Sequence, residues 1–284
     1  MSIDDKADVG VAGDTYNTAV YLAQLLRGQE KTVSYVTALG TDQFSERILE
    51  HMQEQGIDSS YVEKRPDLMP GLYAIDTDRS GERSFSYWRS QAAARTLFSE
   101  PCTLKLEVLS DFDLIYVSGI TMAILPTATR EILTSFLKSF SAKGGYSVYD
   151  SNYRPQLWED LKIARSVTME MWRTADIALP SLDDEMNLFD ETNESQTLER
   201  LSKAGVSYGA LKRGSSGPLD LSNDKIELSF PVVTNVVDTT AAGDSFNASF
   251  MAALTMGKSL ETALMESHEL ASKVIQAKGA IVEF

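Results

Sequence analysis

Cysteine, histidine, long apolar runs and positive charge are what this chain has least of. Cys102 is the only cysteine among 284 residues. An internal disulfide is therefore excluded, which fits a reducing cytoplasm. His51 and His268 are the only histidines, so the chain is short of ligands for a zinc site. Both fall in helix-like runs and read as surface or packing residues. No apolar run reaches the roughly 20 residues of a membrane span. The start, Met1-Ser-Ile-Asp-Asp-Lys-Ala-Asp8, is acidic and lacks the apolar centre of a signal peptide. Lys and Arg number 26 against 41 Asp and Glu, a net charge of -15. Such a field disfavours nucleic acid and anionic membrane as partners. An anionic substrate needs a local cluster of Arg, Lys or backbone N–H groups. Neither G-x-x-x-x-G-K-[ST] nor G-x-G-x-x-G occurs, which disfavours a P-loop or dinucleotide Rossmann enzyme.

What is present is an ordinary globular composition, 43% hydrophobic and 24% charged, enough for one large domain with a sizeable core. Helix-like and strand-like runs alternate. Residues 17–27 have helical spacing, Lys31–Leu39 reads as a strand, and 44–52 reads as a helix that Gly56 stops. Leu72–Asp76 and Arg83–Arg89 read as strands around the turn Asp78-Arg-Ser-Gly81. That β element either covers a site as a lid or is a plain edge hairpin. Alternation then resumes. Strands are expected at 113–118, 146–150, 176–179 and 208–212. Helices are expected at 127–140, 163–172, 183–189, 196–204, 243–256 and 260–277. Leu219–Leu221 with Ile226–Phe230 suggests a second hairpin, and Val232–Val237 is strand-like. The simplest account is a doubly wound α/β sheet flanked by helices, with a small β-sheet lid. The main domain is expected over 17–65 and 96–284, the lid over 1–16 and 66–95.

Ligands of such sheets sit beyond the carboxyl ends of the strands. Asp42, Asp150, Asn152, Arg154, Arg213 and Asp244 fall there. Asp238-Thr-Thr-Ala-Ala-Gly-Asp-Ser-Phe246 is the most suggestive stretch. Ala241, Ala242 and Gly243 stand where a strand would turn into a helix, whose first N–H groups suit an anion such as phosphate. A carboxylate there, Asp244, is repelled by that anion unless it works as a general base on an attacking hydroxyl. A plain helix cap of small residues explains the stretch equally well. Asp14 and Asn17, after Gly13, suit sugar hydroxyls, although an Asp cap has the same spacing. Arg154 matches a carboxylate or phosphate, or pairs with a neighbouring acid. Tyr87 and Arg89, two apart, share a strand face. Gly214 and Gly217 would let a nucleotide approach the backbone, on weak spacing evidence.

The resemblance lies in these same residues. Asp238-Thr-Thr-Ala-Ala-Gly-Asp244 resembles the D-T-x-G-A-G-D signature of the ribokinase, or PfkB-type, sugar kinases. Gly13-Asp-Thr-Tyr-Asn17 resembles their early G-G-D-x-x-N motif, with Ala12 in place of the first Gly. Leu39-Gly-Thr-Asp42, Pro70-Gly-Leu-Tyr73, Tyr87-Trp-Arg89 and Asn152-Tyr-Arg-Pro155 are similar to the branch acting on 2-keto-3-deoxygluconate. The resemblance implies transfer of the ATP γ-phosphoryl group, with Mg²⁺, to the 6-hydroxyl of that sugar acid. It implies Asp244 as base and the backbone of Ala241, Ala242 and Gly243 as anion hole. Gly13, Asp14, Asn17, Tyr73, Tyr87, Arg89 and Arg154 would hold the sugar. Lys212, Gly214 and Gly217 would lie at the nucleotide. Pro180-Ser-Leu-Asp-Asp184 stands where the family has N-x-x-E, which makes Asp184 the candidate metal carboxylate, with Glu185 adjacent. A fructokinase or ribokinase type, or a non-catalytic sugar-binding homologue, is the competing expectation. The family further implies a homodimer through the lid near 70–90, or a larger assembly. It also opens with a buried strand of the type I-x-x-x-G-E. The expectation here is a sheet without that strand, less stable and less active than a form that carries it.

Overall fold

Consecutive residues of the central strands bury opposite faces, as a sheet covered by helices on both sides requires. In the computed structural model, which describes residues 9–77, 83–222 and 228–283, Val148 faces one apolar cluster and Tyr149 the other. In chain order the elements are α1 (Asp14–Leu25), β1 (Thr37–Leu39), α2 (Gln43–Glu54), β2 (Val62–Lys64), β3 (Leu72–Thr77) and β4 (Arg83–Trp88). There follow β5 (Leu114–Ser118), α3 (Gly119–Ile124), α4 (Thr127–Ala142), β6 (Tyr146–Asp150), α5 (Leu161–Thr174) and β7 (Ile177–Ala178). The chain continues through α6 (Leu182–Phe189), α7 (Glu194–Ala204), β8 (Ala210–Leu211), β9 (Leu219–Asp220), α8 (Ala242–Thr255) and α9 (Leu260–Val274).

β5, β6 and β7 run parallel, with Tyr116 opposite Val148 and Val148 opposite Ile177. Parallel bridges from Ala178 to Gly209 and from Ser181 to Lys212 bring β8 alongside. On one face Val117, Tyr149 and Ala178 pack with Leu133 and Leu137 of α4 and with Trp172, Leu188 and Leu201 of α5–α7. On the other, Val148, Ile177 and Leu179 pack with Phe246, Phe250 and Leu264 of α8 and α9. α1 joins that layer, with Tyr21 against Ala248, Leu270 and Val274. β1 pairs with β2 in parallel, separately from the larger sheet. β3 and β4 form an antiparallel ribbon with Tyr73 opposite Tyr87. The fold is the expected doubly wound α/β arrangement with a small β ribbon.

Local differences have physical reasons. Val232–Val237 forms no strand; at its end Val237 N, with Asp238 N after it, donates to Ile275 O, at 2.8 and 3.1 Å. Val232 is 63% and Val236 50% exposed. Apolar β-branched residues without a ladder partner do not make a strand. Lys31–Leu39 narrows to β1, preceded by a single bridge from Ser34 to Asp58. The expected turn at 78–81 and Ile226 lie outside the described residues, and 228–230 carries no strand. Asp14–Tyr16, grouped with the lid in the sequence reading, form the first turn of α1, where Tyr16 packs with Met52 and Ile57. Among the described residues the first regular element is α1.

Gly119 fixes how β5 meets the loop after β6. A Cβ there would lie 1.7 Å from the Ser151 carbonyl oxygen and 2.8 Å from its carbon, so only glycine lets these backbones touch. Gly119→Ala is expected to cost about 1–3 kcal/mol, as overpacking does, seen as a lower urea midpoint with unchanged m-value.

Candidate active site

α8 begins abruptly. Asp42, Ser118, Asp160, Asn193 and Ser259 each cap a helix with a side-chain oxygen. No side chain caps α8. Ala241 takes a left-handed conformation, φ 61°, and turns the chain into the helix. The first N–H groups have no intrahelical acceptor and carry the positive end of the helix dipole. Asp238 pins the turn, accepting from Thr240 N at 3.1 Å, Thr240 Oγ1 at 2.7 Å and Gly279 N at 2.8 Å. A bare, rigid helix start of this kind fits a phosphoryl group.

Asp244, in the first turn of α8, is buried. Asn17 Nδ2 donates to its Oδ2 at 2.8 Å, and Gly13 N donates to Asn17 Oδ1 at 3.2 Å. α1 and α8 thus bring the two ends of the sequence together. Burial first, then the neighbouring Asp14 charge, pushes the Asp244 carboxyl from 3.8 up to about 8, while the Asn17 hydrogen bond opposes the rise. Asp14 is also raised, mainly by burial, with the Ser118 hydroxyl that donates to it acting the other way. Asn152 Nδ2 reaches Asp14 Oδ2 at 3.5 Å.

β6 ends in Asp150, and the loop beyond it turns through Asn152 in a left-handed conformation, φ 27°. Asp150 Oδ1 accepts from Asn152 N at 3.1 Å. Its Oδ2 accepts from Lys212 Nζ at 2.8 Å and from Asn247 Nδ2 at 2.6 Å. Arg154 pairs with Asp184 through Nη1 at 3.2 Å, and Tyr153 N donates to the same carboxylate. Asp184 is raised by burial first, against the pull of Arg154. The adjacent Glu185, fully buried, is raised to about 7 by burial despite Arg200 at 2.9 Å.

Tyr73 and Tyr87 meet across the ribbon with ring centroids 6.2 Å apart and planes tilted by 39°, and the Arg89 guanidinium lies 4.1 Å from the Tyr87 ring centroid. Burial first, then Tyr87 and Asp244, raise the Tyr73 hydroxyl above its ordinary value. Leu72 and Trp88, on the opposite face, are exposed.

The sequence candidates therefore fall into groups. Gly13, Asp14, Asn17, Arg154, Asp184, Lys212 and residues 241–244 converge, and Tyr73 with Tyr87 and Arg89 forms the ribbon face. Gly214 and Gly217 lie in a separate turn closed by Arg213, whose Nε donates to Gly217 O at 3.0 Å. The φ of Gly217 is 74°, and a Cβ there would meet the Phe230 ring at 2.5 Å, so packing alone accounts for this glycine. Asp42 caps α2, and Arg213 also pairs with Glu194. Sequence reasoning missed Asn247 and Tyr116, and gave Asp150 no role. Asn247 was findable: three residues after Asp244, it shares that face of α8.

No group of three or more His, Cys, Asp or Glu able to hold a metal occurs among the described residues. The acids present suit a hard cation that arrives on phosphate oxygens and takes one or two protein carboxylates.

The family of pfkB carbohydrate kinases matches residues 4–283, and the chain belongs to it. It is 42% identical over 283 residues to the 2-dehydro-3-deoxygluconokinase of Escherichia coli (strain K12), covering 97% of this chain and 92% of that protein. The solved 2-dehydro-3-deoxygluconokinase of Thermotoga maritima shares the fold, with a TM-score of 0.79 at 20% identity over 98% of this chain and 88% of that one. A putative ribokinase II of Escherichia coli, in complex with ATP and Mg²⁺, superposes with a TM-score of 0.81 at 20% identity, covering 99% and 88%.

A raised Asp244 stabilises the fold fully only below its ordinary value of 3.8, and that contribution is lost as pH rises through about 8. Asp244→Asn should therefore melt above the wild-type protein at neutral pH. The gap in Tm should widen between pH 4 and 8 and level off beyond, as followed by circular dichroism.

Proposed function

We propose that this chain phosphorylates 2-keto-3-deoxygluconate at its 6-hydroxyl with ATP, giving 2-keto-3-deoxy-6-phosphogluconate and ADP. The observation that carries the reading is Asp244, buried and held by Asn17 at 2.8 Å, in the first turn of a helix with no side-chain cap. Asp244 takes the hydroxyl proton as the sugar oxygen attacks the γ-phosphorus, and the bond from that phosphorus to the ADP oxygen breaks. The N–H groups of the turn at 241–243 receive the charge that spreads over the phosphoryl oxygens. Little covalent chemistry falls to the protein, and positioning carries most of the rate. Mg²⁺ bound with ATP would neutralise phosphate charge, with Asp184 as its candidate carboxylate. Gly13, Asp14 and Asn17 hold sugar hydroxyls, and Tyr73 and Tyr87 cover the ring. Arg154 or Arg89 receives the substrate carboxylate, a role that a neutral sugar would leave idle. Lys212 lies on the nucleotide side, with the turn at Gly214 and Gly217 beyond it.

The relative at 42% identity, named for this activity, supports the choice of sugar acid. A coupled assay with ATP and Mg²⁺ tests it: turnover on 2-keto-3-deoxygluconate should exceed that on fructose and ribose. Faster phosphorylation of fructose overturns the substrate. Asp244→Asn should lower kcat by about 10²- to 10⁴-fold with sugar binding kept in calorimetry. The wild-type kcat/KM should rise with pH and level off above about 8, where the free base loses its proton.

The outer face of the ribbon, with Leu72 and Trp88 at 48 and 61% exposure, supports a homodimer through the lid. Trp88→Asp should shift the sedimenting species from dimer to monomer. A wild-type protein that sediments as a monomer at all concentrations refutes the dimer.

A further inference from the structure

We infer that Lys212 is a catalytic residue of the transfer step, contacting the phosphoryl group in flight, and that Asp150 and Asn247 are positioning residues that aim it. The inference rests on the kinase reading above and sharpens the place it gives Lys212, from the nucleotide side in general to the phosphoryl group being transferred.

Lys212 follows β8 directly, and its side chain is only 10% exposed. Its ammonium donates to Asp150 Oδ2 at 2.8 Å and to Asn247 Oδ1 at 3.0 Å. Both N–H donors and the oxygen of the Asn247 amide are engaged. Its Nδ2 donates to Asp150 Oδ2 at 2.6 Å and to the Tyr116 hydroxyl at 3.1 Å, while its Oδ1 accepts from Lys212. The amide can be satisfied this way in one orientation only. Asp150 is held in turn by Asn152 N. Strands β5 and β6, the residue directly after β8, and helix α8 thus each contribute one fixed member to the network.

The ammonium stands beside the anion hole. Nζ lies 3.7 Å from where a Gly243 Cβ would be. It also bears electrostatically on Asp244 and on Asp184. An ammonium has three N–H donors, and Asp150 and Asn247 take two. The third is available to a phosphoryl oxygen seated on the helix start. A structural ion pair would serve as well anywhere in the core. This one is placed where negative charge spreads during transfer, and it is fixed before substrate arrives, so no reorganisation is required at the reacting moment. Lys212 moves no proton. The hydroxyl proton goes to Asp244, and the lysine contributes charge and one hydrogen bond.

Removing Lys212 alone would leave Asp150 buried without its cation, and a damaged fold could mimic lost catalysis. The deciding protein is the full chain carrying Lys212→Met with Asp150→Asn, neutral at both positions. Thermal melting, calorimetry with 2-keto-3-deoxygluconate, and kcat and KM for ATP in the presence of Mg²⁺ are measured beside Asp150→Asn alone. The double variant should stay folded and bind sugar as the wild type does, while kcat falls about 100- to 1,000-fold. Asp150→Asn, which keeps the lysine, should lose less. A double variant with wild-type kcat, or one that loses only sugar affinity, overturns the assignment. Should the double variant not fold, Asn247→Leu decides. It keeps the ion pair but frees its aim, and kcat should fall about 10- to 100-fold, as for a misplaced group, whereas unchanged kcat overturns the proposal. A wild-type protein that phosphorylates none of 2-keto-3-deoxygluconate, fructose and ribose overturns the kinase reading, and this proposal with it, before any variant is made.

Discussion

Negative charge has to be compensated where the central strands end, and the rest of the site follows from how that is done. Asp14, Asp150, Asp184 and Asp244 converge from α1, β6, α6 and α8. Carboxylates this close and this poorly hydrated repel one another. The fold answers in three ways. Lys212 neutralises Asp150, and Arg154 neutralises Asp184. Asp244 receives only an uncharged donor, Asn17, and the deficit appears as a carboxyl raised to about 8. Like Asp14, it is compensated by no cationic hydrogen-bond partner, and it stands beside the bare helix start. A raised acid there avoids repelling an incoming phosphate, yet it is a stronger base once its proton is lost. Stability and chemistry therefore pull in opposite directions at one residue.

The fold supplies the rigidity this balance needs. Alternate residues of β6 anchor opposite layers, Val148 against α8 and Tyr149 against Trp172 of α5. The strand end that carries Asp150 is thereby clamped from both sides. α8 is buried along most of its length, which fixes Asp244 and Asn247 on one face, a turn apart. α1 packs along α8 and delivers Asn17 to Asp244. A site built on helix ends and strand ends, with few members on free loops, holds its geometry without a bound ligand.

The architecture was largely legible in the sequence because its signals are local. The strand at 146–150 and the helices near 161–174 and 194–204 follow from apolar periodicity and from caps such as Asp160 and Asn193. The turn at 238–246 was recognisable because small residues, an acid and a helix start coincide within one short stretch. What escaped depends on tertiary partners. Val232–Val237 has strand composition but no partner strand. Asp42 and Arg213 lie at strand ends as expected, yet one serves as a helix cap and the other closes a turn. Nothing in sequence spacing alone separates such residues from Asp150, which lies equally at a strand end and stands inside the site. The distinction is made by Lys212 and Asn247, 62 and 97 residues away.

For a protein of net charge -15, the proposed acidic sugar must be recognised by placement and not by bulk attraction. Arg154 illustrates how. Its contacts to Asp184 and to the Tyr153 carbonyl all run through Nη1. Among the described residues Nε and Nη2 have no assigned acceptor, and a guanidinium offers two parallel N–H groups to a carboxylate. Asp184 thus orients the arginine without consuming its fork. A neutral sugar would leave that fork to water, whereas a sugar acid would complete it. The same logic governs Lys212, which is held by Asp150 and Asn247 through two donors and keeps a third. In both cases an internal acid fixes a cation in place, and the remaining donors of that cation define what the site can bind.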